Sequence, residues 1–382
     1  MLPLTGIKVV EFTNIASGPF CGMLLSDMGA EVVKIEKPGG DDMRQWPPVN
    51  DGYSENFASV NRNKKSIVMN LKNPEDLELA LQICSEADVV IENNRPGAME
   101  RLGLGYEAMK ARNPKLLYCS ISAFGADGPY SKQAGFDLII QAASGIMSVT
   151  GDENEVKCGV PISDFATGLY GAFAISAALR EVAETGKGAH IDCSMMGASM
   201  GIAALQTSTF FGTGTMSPLM GNRHPRNAPY QAFKASDGSF VMAAGNNKLF
   251  QSVCEVTGRM DLFEDPDYAT TTLRAKNQTK LAETLEVEFA KRSTAEWIQA
   301  LGDAGLPIGP INSYEQALAH PQVEHAGWVQ DMELPNGLKT KTFGSPIRFD
   351  LETTEMRSAP PALDSHGPEI REEFAARQKA AE

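Results

Sequence analysis

The chain has 382 residues, 42% hydrophobic and 21% charged, with a formal net charge of −14. That length exceeds one ordinary core and makes two domains the default, and the composition excludes a disordered chain. The acidic balance is the opposite of a nucleic-acid binder's, so no nucleic-acid partner is expected, and an anionic ligand would need a local cluster of Lys and Arg.

The first 195 residues alternate strand and helix. I-K-V-V-E-F (7–12) predicts a buried strand, S-G-P-F-C-G-M-L-L-S-D-M-G (17–29) a helix, and E-V-V-K-I-E (31–36) a second strand. N-P-E-D-L-E-L-A-L-Q-I-C (73–84) predicts a helix capped by Asn73, with Pro74 in its first turn. D-V-V-I-E-N (88–93) and K-L-L-Y-C-S-I (115–121) are further strands. This rhythm implies an α/β fold whose parallel sheet binds its ligand at the carboxyl ends of the strands. Residues 165–182 predict a long helix containing Gly168 and Gly171. Glycine inside a helix costs about 1 kcal/mol against alanine, so a close neighbour is expected there. A strand at 189–195 follows.

The stretch 200–235 is rich in Gly, Pro and Asn and predicts an irregular loop. Beyond it, 238–245 predicts a strand, and Leu281, Leu285 and Phe289 mark a helix. S-T-A-E (293–296) is a capping box opening another. After about residue 320 the chain is Pro-rich and predicts loops, ending in a short amphipathic helix, P-E-I-R-E-E-F-A-A-R.

No apolar run reaches the roughly 18–20 residues of a membrane span, and the first residues lack the layout of a signal peptide. No membrane partner is expected. Six cysteines are scattered singly without C-x-x-C, which points to small core residues in a reducing cytoplasm.

The turn after the first strand, T-N-I-A-S-G-P, is not G-x-G-x-x-G, and no G-x-x-x-x-G-K-[ST] occurs. Nicotinamide dinucleotides and a P-loop are therefore not expected. No histidines stand at i, i+4, and no metal site is expected. G-A-S-M-G (197–201) matches a nucleophile elbow, which makes a serine hydrolase using Ser199 one alternative and ordinary packing the other. Basic residues gather near predicted strand ends: Lys37; Arg62, Lys64, Lys65 and Lys72; Arg95 and Arg101. They suit a polyanionic small molecule or a solvated face. Asp164, in S-D-F-A, stands at or beside the start of the long helix. It is a cap there, contributing about 1 kcal/mol, or a carboxylate nucleophile for an activated acyl group.

Several stretches together resemble the class III CoA-transferases, the CaiB/BaiF family. They are the opening G-I-K-V-V-E-F-T with S-G-P-F-C-G-M-L-L-S-D-M-G-A-E-V-V-K-I-E-K-P-G-G-D, then N-R-N-K-K-S-I, A-D-V-V-I-E-N-N-R-P-G and A-G-F-D. S-D-F-A-T-G, A-P-Y-Q-A-F and G-L-P-I-G-P-I-N-S extend the likeness over nearly the whole chain. The resemblance implies a large Rossmann-like domain over 1–200, completed by 330–382, and a small α/β domain over 225–320. Linkers at 201–224 and 321–329 would join them, in an interlocked homodimer. It implies CoA exchange between an acyl-CoA and a small free carboxylic acid, with the CoA thioester as substrate and no prosthetic group. Asp164 falls on the family's nucleophile. Ala16, Lys37, Leu71, Lys72, Asn94, Arg95, Arg101 and Phe136 fall on CoA-binding positions, and Phe136 and Asp137 beside the nucleophile, Asp137 either as a carboxylate partner to Asp164 or as a helix cap for 138–147.

Two departures matter. The formyl-CoA transferases carry glutamine where this chain has Ala16, which argues against an oxalate or formyl-CoA specificity. The family's 2-methylacyl-CoA racemases carry His-Asp where this chain has Phe136-Asp137, and phenylalanine cannot exchange a proton. A CoA-ester racemase and a non-catalytic CoA-ester scaffold remain alternatives. Arg223, His224 and Arg226, in the Gly-Pro-rich loop, are candidates to meet a second carboxylate of a dicarboxylic substrate.

Overall fold

A computed structural model describes residues 2–381. The chain divides into two compact units. The first holds the residues up to Ile146, Cys158–Ser208 and everything from Pro321 on; the second holds Met147–Lys157 and Thr209–His320.

The first unit is built on a six-stranded sheet. Its strands are β1 (Lys8–Phe12), β2 (Glu31–Glu36), β3 (Lys64–Val68), β4 (Val89–Glu92), β5 (Leu117–Ser122) and β6 (Ala189–Ser194). All neighbours pair in parallel, in the order β3-β2-β1-β4-β5-β6. Val10 sits opposite Val33 on one side and Val90 on the other. Chain order reverses between β1 and β4, so the crevice at a topological switch point opens beyond Phe12 and Glu92.

Six helices of this unit matter below: α1 (Ser17–Asp27), α2 (Pro74–Ser85), α3 (Ala98–Arg101), α4 (Asp137–Ala143), α5 (Ile162–Thr185) and α6 (Met195–Ile202). Adjacent strand residues feed opposite layers, as a sheet covered on both faces requires. Val10, Ile35, Ile67 and Val90 pack with Ile83 and Cys84 of α2 and with Ile370 of the C-terminal helix Gly367–Ala381. Val9, Val32, Val89 and Ile91 pack with Cys21 and Leu25 of α1 and Ile175 of α5.

The two helical glycines have the expected neighbour, which is α1. A Cβ built at Gly168 would lie 2.9 Å from the carbonyl oxygen of Ser17, and one at Gly171 would lie 3.1 Å from the sulfur of Cys21. Helix α5 begins at Ile162, three residues earlier than predicted, and extends to Thr185. By length and composition it is apolar enough to cross a membrane, contrary to the expectation from its sequence. Ala166, Gly168, Ala172 and Ile175 bury one of its faces in the core.

Two predictions for this unit need correction. K-K-S-I-V, read as part of a basic cluster, forms strand β3. The stretch after residue 320, read as loop, carries a helix, Pro321–Ala326, and a hairpin of Val329–Glu333 with Lys339–Phe343.

The second unit has an antiparallel sheet of β7 (Tyr230–Lys234), β8 (Ser239–Ala243) and β9 (Ile308–Pro310), in the order β9-β8-β7. Leu281, Leu285 and Phe289 face one core from a single helix, Gln278–Phe289, together with Phe233, Phe240 and Trp297. Ser293 and Glu296 form the expected capping box. Within the predicted linker 201–224, Ala204–Thr213 is helical.

Candidate active site

Two cavities open at the carboxyl ends of the strands and share Asn14 and Asn94 as walls. The larger, about 570 Å³, has an apolar floor of Phe12, Ile35, Met69 and Met99 and a polar rim of Lys37, Asn70 and Lys72. The other, about 410 Å³, is lined by Ala16, Ser17, Asn93, Arg95, Phe136 and Asp164, among others. Of the residues the resemblance implied for CoA, Lys37, Leu71, Lys72 and Asn94 line the first cavity, and Ala16, Asn94 and Arg95 the second. Arg101, the last residue of α3, lines neither, and its guanidinium lies behind Gly97.

Asp164 is the third residue of α5, not its cap. Pro161 holds the cap position without a side-chain bond. The capping work falls to Asp137, the first residue of α4, whose carboxylate accepts the Ser163 N–H at 3.0 Å. Its other oxygen accepts the amide of buried Gln141 at 2.6 Å, and Gln141 in turn accepts the Cys158 N–H at 2.8 Å. Because Asp137 caps the helix, the Asp164 carboxylate is left for the cavity, which Ser17 also lines and where the polar groups of Ser17 favour its ionised form.

Burial pushes the Asp164 carboxyl up to about 6, and the nearby Asp137 charge pushes the same way, while the Ser17 hydrogen bonds oppose both. The group is therefore largely ionised at neutral pH yet poorly solvated, the condition of a usable carboxylate nucleophile. At the cavity mouth Phe136 is 68% exposed and offers an apolar wall.

The basic cluster is only partly at the site. Arg62 is buried and pairs with Asp27. Buried Lys64 donates to Glu11 at 2.9 Å, and Lys65 pairs with Glu31 at 2.9 Å. These three cations hold the sheet and its helices, whereas Met69, Asn70, Leu71 and Lys72 of the segment 61–72 line the larger cavity. Lys37 pairs with Asp42 at 2.6 Å, and this bond holds the Asp42 carboxyl below its usual range.

Ser199 is no exposed nucleophile. It lies inside helix α6, fully buried, and its hydroxyl donates to Ser163 Oγ at 2.8 Å. It braces the first turn of α5 from below. Among the described residues, no histidine lines either cavity, so neither a serine triad nor a histidine base assembles there.

The loop residues belong to the second unit. Arg223 bonds the Met220 carbonyl, the Thr279 hydroxyl and Asp152. His224 stacks on Tyr230, and its Nδ1 accepts the N–H groups of Arg226 and Asn227 at 3.1 Å each. Arg226 donates to Thr209 at 3.1 Å.

Sequence reasoning missed Ser17 and Asn93 at the site. Both follow the strands that flank the switch point, and that position was the available signal.

Comparison with known proteins shows the family. The model of CoA-transferase family III matches residues 4–367. The human succinyl-CoA:glutarate CoA-transferase is 38% identical over 375 residues, covering 97% of this chain and 86% of that one. The acetyl-CoA:oxalate CoA-transferase of Acetobacter aceti is 37% identical over 98% of this chain and 96% of that one. The crystal structure of a CaiB/BaiF family protein from Brucella suis superposes with a TM-score of 0.87 at 39% identity, covering 98% of this chain and 99% of that one.

Proposed function

Because this chain belongs to CoA-transferase family III and is a CoA-transferase, we propose that Asp164 carries the CoA between two carboxylic acids, with succinyl-CoA as donor and a dicarboxylate as acceptor. The observation that carries the reading is the pair Asp137 and Asp164. One carboxylate is consumed as a cap, and the other lines a cavity with its basicity raised. The donor and the dicarboxylate rest on the human relative, which is named for succinyl-CoA and glutarate.

In this mechanism a carboxylate oxygen of Asp164 attacks the thioester carbonyl. The C–S bond breaks, and CoA leaves as thiolate from a mixed anhydride. The thiolate then attacks the Asp164 carbonyl, releasing the donor acid as carboxylate and leaving an aspartyl-CoA thioester. The acceptor carboxylate attacks that thioester and expels the thiolate again. The thiolate attacks the acceptor's carbonyl, which frees Asp164 and the new acyl-CoA. No net proton is taken up, so the site needs no histidine.

CoA lies along the shared wall in this reading. Its adenine takes the apolar floor of the larger cavity, Lys37 and Lys72 meet phosphates, and the pantetheine passes Asn94 to reach Asp164. Arg101, set back from both cavities, contributes at most to the rim. Ala16 leaves room at the thioester that a glutamine would fill. Phe136 serves as a wall, and Arg223, already bonded to Asp152, serves the loop's own structure, which leaves Arg226 and His224 as the loop's candidates for a second carboxylate. The scatter of single cysteines along the sequence, without a C-x-x-C pair, fits a reducing cytoplasm.

The test is trapping. Protein is incubated with succinyl-CoA, quenched with hydroxylamine and digested, and the peptide carrying Asp164 is weighed. A hydroxamate mass on Asp164, absent from Asp164→Asn, is expected. An unmodified Asp164 on folded, CoA-binding protein would overturn the reading.

A further inference from the structure

The turn that follows β1 is held in a conformation its own sequence disfavours. Ile15 has φ 68°, in the left-handed region. For a β-branched residue that is a true outlier, costing on the order of 1–3 kcal/mol, and it persists only where the surroundings enforce it. Three side chains do so here. Asn93, the first residue after β4, makes two hydrogen bonds to one backbone unit. Its Oδ1 accepts the Asn14 N–H at 2.8 Å, and its Nδ2 donates to the Asn14 carbonyl at 2.9 Å. Buried Asp41 accepts the Ile15 N–H at 3.1 Å and is itself 3.0 Å from the buried ammonium of Lys34. Asn94 donates to the Phe12 carbonyl at 3.0 Å.

The Asn93 amide thus continues the β1–β4 pairing for one residue past the sheet, where the backbones have already parted. Two residues beyond the strained position comes Ser17, which lines the same cavity as Asp164 and favours its ionised form. Space behind the turn is tight: a Cβ at Gly18 would lie 2.6 Å from Thr13 and 3.0 Å from Asn93 Cγ. A shift of Asn14 therefore has nowhere to be absorbed before it reaches Ser17.

We propose that Asn93 is a positioning residue for CoA transfer, clamping the strained Asn14–Ile15 turn so that Ser17 keeps its place beside Asp164 in the cavity. The inference rests on Asp164 being the nucleophile. Asn93 also lines the cavity, and contact with substrate is the competing role to be separated.

The experiment compares wild type with Asn93→Ala and Asn93→Gln, the second keeping the amide but lengthening its arm. Folding is checked by circular dichroism and by CoA binding. Steady-state kinetics are taken with succinyl-CoA and glutarate across pH 4.5–8.5. A misplacement of about 1 Å can cost on the order of 100-fold, so kcat should fall at least about 10-fold while KM for the acyl-CoA changes less than about threefold. The acid limb of kcat/KM should move to higher pH, because the Ser17 bonds favour the ionised carboxylate and the variants weaken them.

A raised KM with an unmoved acid limb would make Asn93 a substrate contact and overturn the inference. So would unchanged kinetics in either variant. The hydroxylamine adduct of the wild-type protein separates the two levels. Its absence condemns Asp164 as nucleophile, whereas its presence with an unmoved acid limb in the variants condemns Asn93 alone.

Discussion

Asp164 works against the stability of the protein that uses it. Its ordinary value of 3.8 is raised to about 6, first by burial and then by Asp137, so the native state binds the proton more tightly than the unfolded chain does. The stabilisation is fully present below the unfolded value and is lost as pH rises through the folded one. Activity runs the other way, because only the ionised group attacks. We expect kcat/KM to climb with pH and level off above about 6, in a pH–rate profile with saturating acceptor. Asp164→Asn keeps an acceptor for Ser17 and removes the buried charge. It should abolish detectable transfer while stabilising the fold at pH 8 by roughly 1–3 kcal/mol, a gain that urea titration should show shrinking towards pH 4. The residue's place at a helix start was legible from S-D-F-A. That another aspartate does the capping was not, since Asp137 and Ser163 meet only through the packing of α4 against α5.

At the scale of elements, the packing of α1 against α5 carries the site. Gly168→Ala places a methyl against a carbonyl that cannot move without α1. The expected result is a fall of several degrees in melting temperature and a loss in kcat larger than the change in KM. A control, Gly212→Ala, meets nothing within 4 Å inside the helix Ala204–Thr213; it should leave kcat and KM unchanged and not lower the melting temperature, as initial rates and differential scanning fluorimetry will show. The strands of the sheet, apart from one, were legible because runs such as V-V-I-E are apolar enough to be buried on both faces. Strand β3 escaped because it opens K-K. Lys64 is buried only because Glu11, on a strand two places away in the sheet, supplies its counter-charge, and a window of sequence cannot see such a partner. The C-terminal hairpin had its turn signal in Asn336-Gly337. Its flanking strands, V-Q-D-M-E and K-T-K-T-F, are too polar to announce themselves, and only Met332 and Thr342 are buried in them.

At the scale of the whole molecule, much apolar surface lacks cover. On α5, Leu169, Tyr170 and Phe173 are exposed, Phe173 to 73%, on the side turned from the core. Phe211, in the second unit, is 83% exposed. Large apolar side chains exposed in this way suit an association surface. We expect a second copy of the chain to cover it, in the interlocked arrangement that the family resemblance implies. Sedimentation should give the mass of two chains, and Phe173→Glu should shift it towards one. A sharp single-chain boundary for the wild type at micromolar concentration would exclude the dimer.

The division of the chain into units also sets an order of events during its synthesis. The polypeptide changes unit at residues 146/147, 157/158, 208/209 and 320/321. The sheet of the first unit is therefore complete once β6 has emerged, yet one of its layers still lacks Ile370 and Phe374, which come from the last helix. At about 5–20 residues per second, the ribosome leaves that layer open for many seconds. The second unit, whose last residue is His320, is whole before the first can close. Nascent chains arrested near residue 320 should hence show a protease-resistant second unit and a first unit that is cleaved, and release of the full chain should protect both.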